Sequence, residues 1–392
     1  MRIRRLTAHV VRLPLKRSFA HASATRHDSD NVIVRCELRD GTTGWGEGVP
    51  RSYVTGETPE GCLAQLAQTP LAQQLSAECS NWSEVIKLCE NFQPATVGDD
   101  RRSCHGNALR CAVELSILDA YGRVFSEPVS AIFDHFDVAR QITTKNDVMR
   151  YGVVIDAGNR KLARKAFIRR VYGFADCKVK VGAPGDDDAT RLRTIRRWIG
   201  PRMDLHLDAN EAWHADSLIA KFEPLLRYHI SCIEQPLPHA EVARLADLRS
   251  QIAVPIMLDE SLTSIVDANA AIANKTCDLF NIRLSKCGGL LNSARLAATA
   301  QAAGLGYQLG CHPGESGILS AAGRHWAHRI ANIRYLEGSY DRYLFSRLLT
   351  NEDLTFGYGG RARPITKPGL GITVNESVLR EQTRATQEFR LG

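Results

Sequence analysis

The chain has 392 residues, 44% of them hydrophobic and 24% charged, with a formal net charge of +7. This is room for two domains, and no run of about eighteen apolar residues offers a membrane span. Eleven scattered cysteines without a Cys-x-x-Cys pair argue against a disulfide framework or a zinc site. The opening "MRIRRLTAHVVRLPLKRSF" breaks its apolar run at Arg12, so no signal-peptide core is expected and a cytoplasmic protein is. The basic stretch "RKLARKAFIRR" from Arg160 to Arg170 reads as a solvated helix face, because aromatics do not interleave with its charges. Neither a nucleic-acid nor a membrane partner is expected.

In chain order, the pattern predicts a strand over Ile3–Leu13. A second, "NVIVRCEL", turns through Asp40-Gly41 into "TTGWGEG" as a hairpin. Helical spacing follows in "TPEGCLAQLAQTPLAQQL" and "NALRCAVELSILDAYGRVF". Strands before helices predict an α+β unit over residues 1–140. From Tyr151 the pattern changes to eight short apolar strands: "YGVVI", "DCKVKV", "DLHLDAN", "SCIEQP", "PIMLDES", "LFNIRLS", "GYQLGCH" and "NIRYLEG". Helix candidates lie between most of them. The expected fold class is therefore α/β, with a closed (β/α)₈ barrel over 141–356 and a tail, 357–392, returning to the first unit through a strand at "GLGITV".

Charged residues stand at the strand ends at intervals of about 24 to 29 residues, one strand-helix unit each: Lys180, Asp208, Glu234, Asp259, Arg283, His312 and Glu337. In a parallel barrel all strands end at one rim, so this spacing gathers the seven at one mouth. Three acids from consecutive strands, Asp208, Glu234 and Asp259, suit a hard divalent cation, Mg²⁺ with Mn²⁺ as the alternative, better than three separate helix caps. Asn210 and Glu260 are candidates to support those ligands or to contact substrate. In "CKVKV" the two lysines share one strand face. A nearby dication and partial burial favour a neutral Lys180 that takes a proton, while Lys178, one step deeper, stays a charged donor to a substrate carboxylate.

Together with "GWGEGVPRSYVTGET", "LDANEAW", "IEQPL", "LDES", "RLSKCGG" and "GLGITV", these motifs resemble the enolase superfamily over nearly the whole chain. The resemblance is to the branch of muconate lactonizing enzymes, dipeptide epimerases and mandelate racemases. It implies Asp208, Glu234 and Asp259 as metal ligands, a small-molecule carboxylate substrate and a homo-oligomer. It further implies a cap whose loops, "SFAHASATRH" and "PRSYVTGET", present Phe19, His21 and Tyr53 to the substrate. Use of Lys or His bases with Mg²⁺ to stabilise an enediolate is the general logic of that superfamily.

The sequence departs from the pattern on strand six, where lactonizing enzymes and dipeptide epimerases carry a second lysine and this chain has Arg283. A guanidinium is not a general base. Lys286 stands in the loop beyond and does not substitute for it. "GCHPGESGILSAAG" resembles the histidine-bearing segment of mandelate racemases and acid-sugar dehydratases, but that branch pairs its histidine with an aspartate at the position of Arg283. Arg283 beside His312 favours a neutral imidazole; Glu315 and Glu337 are further candidates for this face, Glu337 as a substrate contact.

The first expectation is thus a one-base elimination or cycloisomerisation of the kind muconate cycloisomerase and o-succinylbenzoate synthase perform. The alternatives are racemisation, epimerisation or acid-sugar dehydration using Lys180 and His312, and a carboxylate-binding relative without turnover.

Overall fold

The computed structural model describes residues 1–21, 24–96, 98–156 and 161–391, with side chains described outside 17–26. Three antiparallel strands open the chain: β1 (Ile3–His21), β2 (Ala24–Leu38) and β3 (Thr43–Gly48). The β2–β3 turn is set by the Asp40 carboxylate, which accepts from Thr42 N at 2.9 Å, and by Gly41 at φ +88°. Helices α1 (Pro59–Gln68), α2 (Trp82–Asn91) and α3 (Asn107–Phe125) follow. The predicted helix through "TPLAQQL" breaks at Thr69-Pro70, because proline lacks the amide that would continue α1.

The glycines of "TGWGEG" have a packing reason. A Cβ on Gly44, Gly46 or Gly48 would overlap backbone atoms of Ala120, Ala112 and Ala108, which recur at helical spacing along α3. One strand face without side chains therefore lies flush against one helix face of small residues.

Eight parallel strands then form a single ladder in sequence order: β4 (Val153–Ile155), β5 (Asp176–Lys180), β6 (Asp204–Asp208), β7 (Ile233–Glu234), β8 (Ile256–Leu258), β9 (Leu279–Ile282), β10 (Gly306–Leu309) and β11 (Ile333–Leu336). These are the eight predicted strands. The expected full closure is reduced: β11 and β4 share no ladder, and Gly152 N–H donates to Leu336 O at 2.8 Å across the seam. Helices α4 (Leu162–Val171), α5 (Asp188–Ile199), α6 (Ala215–Phe222), α7 (Ile265–Asn274), α8 (Leu290–Ala302) and α9 (Gly317–Arg329) punctuate the strands. None among the described residues is long and apolar enough to cross a membrane.

The tail pairs with β1 through β12 (Thr383–Arg390), antiparallel from Arg5↔Arg390. "GLGITV" forms no such strand. Gly369 and Gly371, at φ +66° and +69°, bend it, and Leu370 N donates to the buried Asp119 carboxylate of α3 at 2.7 Å.

Buried glutamates of the first unit join it to barrel helices. Glu47 on β3 accepts from Ser316 N at 3.0 Å and Leu319 N at 3.0 Å, capping α9, and Glu114 on α3 accepts from Leu291 N at 3.2 Å at the start of α8. We expect Gly46→Val to overpack the β3–α3 contact and lower unfolding free energy by about 2–3 kcal/mol, as measured by denaturant titration, whereas Gly41→Asn, with open space around it, costs less than about 1 kcal/mol.

Candidate active site

Because the strands are parallel, the charged residues predicted at their ends face one mouth. Lys178 and Lys180 lie on one face of β5, with Lys178 in register with His206 and Lys180 with Asp208. Asp208 and Glu234 close β6 and β7; Asp259, Arg283 and Glu337 follow β8, β9 and β11 directly, and His312 lies three residues beyond β10. The chain turns sharply at this rim: Asn210, Glu211 and Gln235 hold φ of +42°, +65° and +36°, the left-handed strain that active sites often store.

Lys178 is buried beneath the mouth. Its ammonium lies 2.7 Å from Glu234 Oε2, 2.6 Å from Glu337 Oε1 and 4.0 Å from Asp208 Oδ2. Burial alone would lower its pKa, but these three carboxylates reverse the sign and hold the ammonium well above its ordinary value. Lys180, partly exposed, donates to Asn210 Oδ1 at 2.8 Å, and Asn210 Nδ2 donates to Glu260 Oε1 at 3.2 Å. Asn210 N also donates to Asp208 Oδ1 at 3.0 Å, so one residue ties the lysine to two carboxylates.

Asp259 is pinned from two sides. Arg283 Nη2 bonds its Oδ2, and Lys286 Nζ donates to its Oδ1 at 2.8 Å and its backbone oxygen at 2.7 Å. Burial pushes the Asp259 carboxyl up, yet the two cations hold it well below the usual carboxylate range. Lys286 belongs to the loop, as the sequence indicates, but its side chain folds back inside and also reaches Asn281 O at 2.8 Å. The supporting position of its ammonium lies beneath Asp259.

Arg283 Nη1 approaches His312 Nδ1 at 3.4 Å. A guanidinium only donates, so Nδ1 accepts and the imidazole proton sits on Nε2. Burial, then Arg283 and Arg51, push the imidazole pKa far down, which keeps His312 neutral. Its backbone N–H donates to Glu315 Oε1 at 2.6 Å, and burial lifts the Glu315 carboxyl to about 8.

The cap reaches this rim: Arg51 Nη2 donates to Pro313 O at 2.9 Å, Val49 N to Ser285 Oγ at 2.7 Å, and Arg102 Nη2 to Glu260 O at 2.7 Å. Tyr53 stands half-buried on the loop before α1. The side chains of Phe19 and His21 lie outside the described residues.

Three groups escaped the sequence reading. His206, two residues before Asp208 and hence on the same strand face, is 1% exposed with neither ring nitrogen hydrogen-bonded. Asn281, two before Arg283, donates to Glu234 Oε1 at 2.6 Å. Gln235 accepts from Asp259 N at 2.8 Å and Ser261 N at 3.2 Å and so shapes the third acid's loop. The signal for the first two was the period of two, applied one step deeper into the barrel.

A divalent cation fits here. His206, Glu234 and Glu337 bring one donor atom each within 4.8 Å; neither His206 nitrogen has a hydrogen bond to give up, whereas Glu234 Oε2 lies 2.7 Å from the Lys178 ammonium. The oxygen-only set Asp208, Glu234 and Asp259 shares Glu234 with that group, and hard Mg²⁺ prefers oxygen donors to imidazole.

Fold and site together define a metal-dependent barrel enzyme of the isomerase or lyase type. Residues 161–378, more than half of the chain, match the family model "Enolase C-terminal domain-like". The chain belongs to the enolase superfamily, in the branch of muconate-lactonizing enzymes, dipeptide epimerases and mandelate racemases. It is 28% identical to the hydrophobic dipeptide epimerase of Enterococcus faecalis over 95% of this chain and 100% of that one. To the N-succinyl-L-Arg/Lys racemase of Bacillus cereus it is 27% identical over 98% of both chains, and the crystal structure of N-succinyl Arg/Lys racemase from Bacillus cereus superposes over all of both chains at a TM-score of 0.86. The 2-chloromuconate cycloisomerase of Rhodococcus opacus gives 0.85 at 25% identity, covering 98% of this chain and all of that one.

The two donor sets are separable. With Asp208, Glu234 and Asp259 as ligands, Asp208→Asn should weaken Mn²⁺ binding, measured by calorimetry without substrate, by about tenfold or more, while His206→Asn leaves it within about threefold. The reverse ranking would place the ion at His206.

Proposed function

We propose that the protein is a Mg²⁺-dependent racemase or epimerase of a small carboxylate, with Lys180 serving one face of the α-carbon and His312 the other. Elimination or cycloisomerisation, the first expectation, gives way to this alternative because the relatives named for epimerase and racemase activity outweigh the cycloisomerase. The observation that carries the reading is the disposition of Lys180 and His312. The lysine lies at the end of β5 beside Asn210, and the imidazole lies beyond β10 on the far side of the ladder, with the acids of β6, β7 and β8 between them on one arc. Substrates of the dipeptide and N-succinyl amino acid type support a carboxylate whose α-carbon bears an acylated nitrogen or a side chain next to one.

Asp208, Glu234 and Asp259 would hold the metal, which supplies positive charge where the carboxylate oxygens become more negative. Lys180 takes the α-proton, and Asn210 aims its nitrogen by the 2.8 Å hydrogen bond. The substrate then carries enediolate charge, offset on the protein side by Lys178 and Arg283. His312 returns a proton from Nε2 to the opposite face. The negative charge this leaves on the ring is met at Nδ1 by Arg283, and the reverse reaction moves the same protons back. Glu260 and Lys286 act through Asn210 and Asp259, and Glu337 through Lys178.

In deuterium oxide with Mg²⁺ and a panel of dipeptides and N-acyl amino acids, a substrate should exchange its α-hydrogen and invert. Lys180→Ala should abolish exchange from one enantiomer, a loss of about a thousandfold or more. His312→Asn should cut inversion by about a hundredfold while sparing exchange with retention. Exchange with retention and no inversion in the parent enzyme would instead favour the one-base reaction, and inversion within about tenfold of the parent in the His312 variant would remove His312 as the second base.

A further inference from the structure

Lys178 poses a problem that the proposed metal site sharpens. Lys178 is 3% exposed, and its ammonium shares Glu234 with both candidate donor sets. A cation bound through Glu234 draws that carboxylate away from Lys178, and a buried ammonium stripped of its partner is strongly unfavourable. Asp208, at 4.0 Å, is no refuge, since it is a proposed ligand too. Glu337 is the remaining partner. Its Oε1 is 2.6 Å from the ammonium and accepts no other hydrogen bond, and its backbone is fixed by donation from Glu337 N to Leu309 O at 2.8 Å.

We propose that Glu337 is a positioning residue rather than a metal ligand: it retains the Lys178 ammonium when Glu234 turns to the metal. The inference rests on the reading of Glu234 as a ligand and adds the device that makes its release possible. Metal affinity then depends on a residue that never touches the ion. Lys178 remains paired in both states, since its ammonium already lies 2.6 Å from Glu337 Oε1 as well as 2.7 Å from Glu234 Oε2.

The test uses the full chain and Mn²⁺ alone, by isothermal calorimetry or by the electron paramagnetic resonance of free Mn²⁺, with no substrate present. Glu337→Gln should weaken Mn²⁺ about tenfold or more, because Lys178 then has only Glu234 to hold. Removing the ammonium as well, in Lys178→Met/Glu337→Gln, should restore affinity to within about threefold of the parent. Lys178→Met alone should bind Mn²⁺ at least as tightly as the parent. Unchanged affinity in Glu337→Gln overturns the proposal, and so does a double variant that stays weak, since Glu337 would then be a ligand itself. Should Glu337→Gln not fold, as judged by circular dichroism, Glu337→Asp and Lys178→Met decide: the aspartate should bind within about threefold, and a weakened Lys178→Met would overturn the proposal. Glu234→Gln is the control for the underlying reading; if it binds Mn²⁺ like the parent, the metal assignment fails rather than the role of Glu337.

Discussion

The barrel mouth is organised by the need to keep buried charges paired. Lys178, Arg283 and Lys286 are each nearly sealed from solvent, as are Asp208, Glu234, Asp259 and Glu337. None of these is affordable alone, because an ionised group away from water forfeits solvation that a single ion pair only partly replaces. The acids that could hold a cation are therefore already committed to cations of the chain. Lys178 lies between Glu234 and Glu337, and Arg283 and Lys286 grip Asp259 from opposite sides. The site is a cluster of paired buried charges, and on the proposed reading a metal would enter it by exchange with a lysine or arginine.

This network stands where it does because the cap closes over it. Glu47 and Glu114 seat their carboxylates on the first turns of α9 and α8, so the helices following β10 and β9 are fixed to the first unit at their N-termini. The loops those helices follow carry His312, Arg283 and Lys286. Arg51 and Arg102 add donations to Pro313 O and Glu260 O, so the rim is tied to the cap by backbone acceptors. The flush contact of β3 glycines with α3 belongs to the same scheme, since it sets the strand bearing Glu47 close to the helix bearing Glu114.

Much of this was legible in the sequence because a parallel barrel converts spacing into proximity. Charged residues one strand-helix unit apart had to meet at one rim, and the alternation in "CKVKV" placed both lysines inside. What escaped was set by side-chain reach and by local turns. Lys286 reads as a loop residue by position, yet its four-carbon stem carries the ammonium back beneath Asp259. His206 and Asn281 sit within apolar runs where a polar residue looks incidental, although each is the inward neighbour of a strand-end charge. "GLGITV" reads as a strand by its β-branched residues, but two glycines at positive φ turn it against α3 instead, leaving the polar "TRATQEFR" to pair with β1. Edge pairing there relies on backbone hydrogen bonds rather than on an apolar face, which periodicity does not register.

Arg283 links the two halves of the chemistry. A lysine at this position reaches one partner at a time, whereas the planar guanidinium holds Asp259 with one nitrogen and His312 with another. The charge on Asp259 and the tautomer of His312 are thereby coupled through one rigid group. On the proposed reading, a cation held by Asp259 would compete with the guanidinium there and leave its donors to the imidazole at Nδ1. The same change would make Nε2 the better proton donor, so on the proposed reading the metal site and the far face would be coupled. With arginine where a titrating lysine would stand, the second proton of the proposed reaction falls to His312 beyond the next strand, and Arg283 ties that imidazole to Asp259.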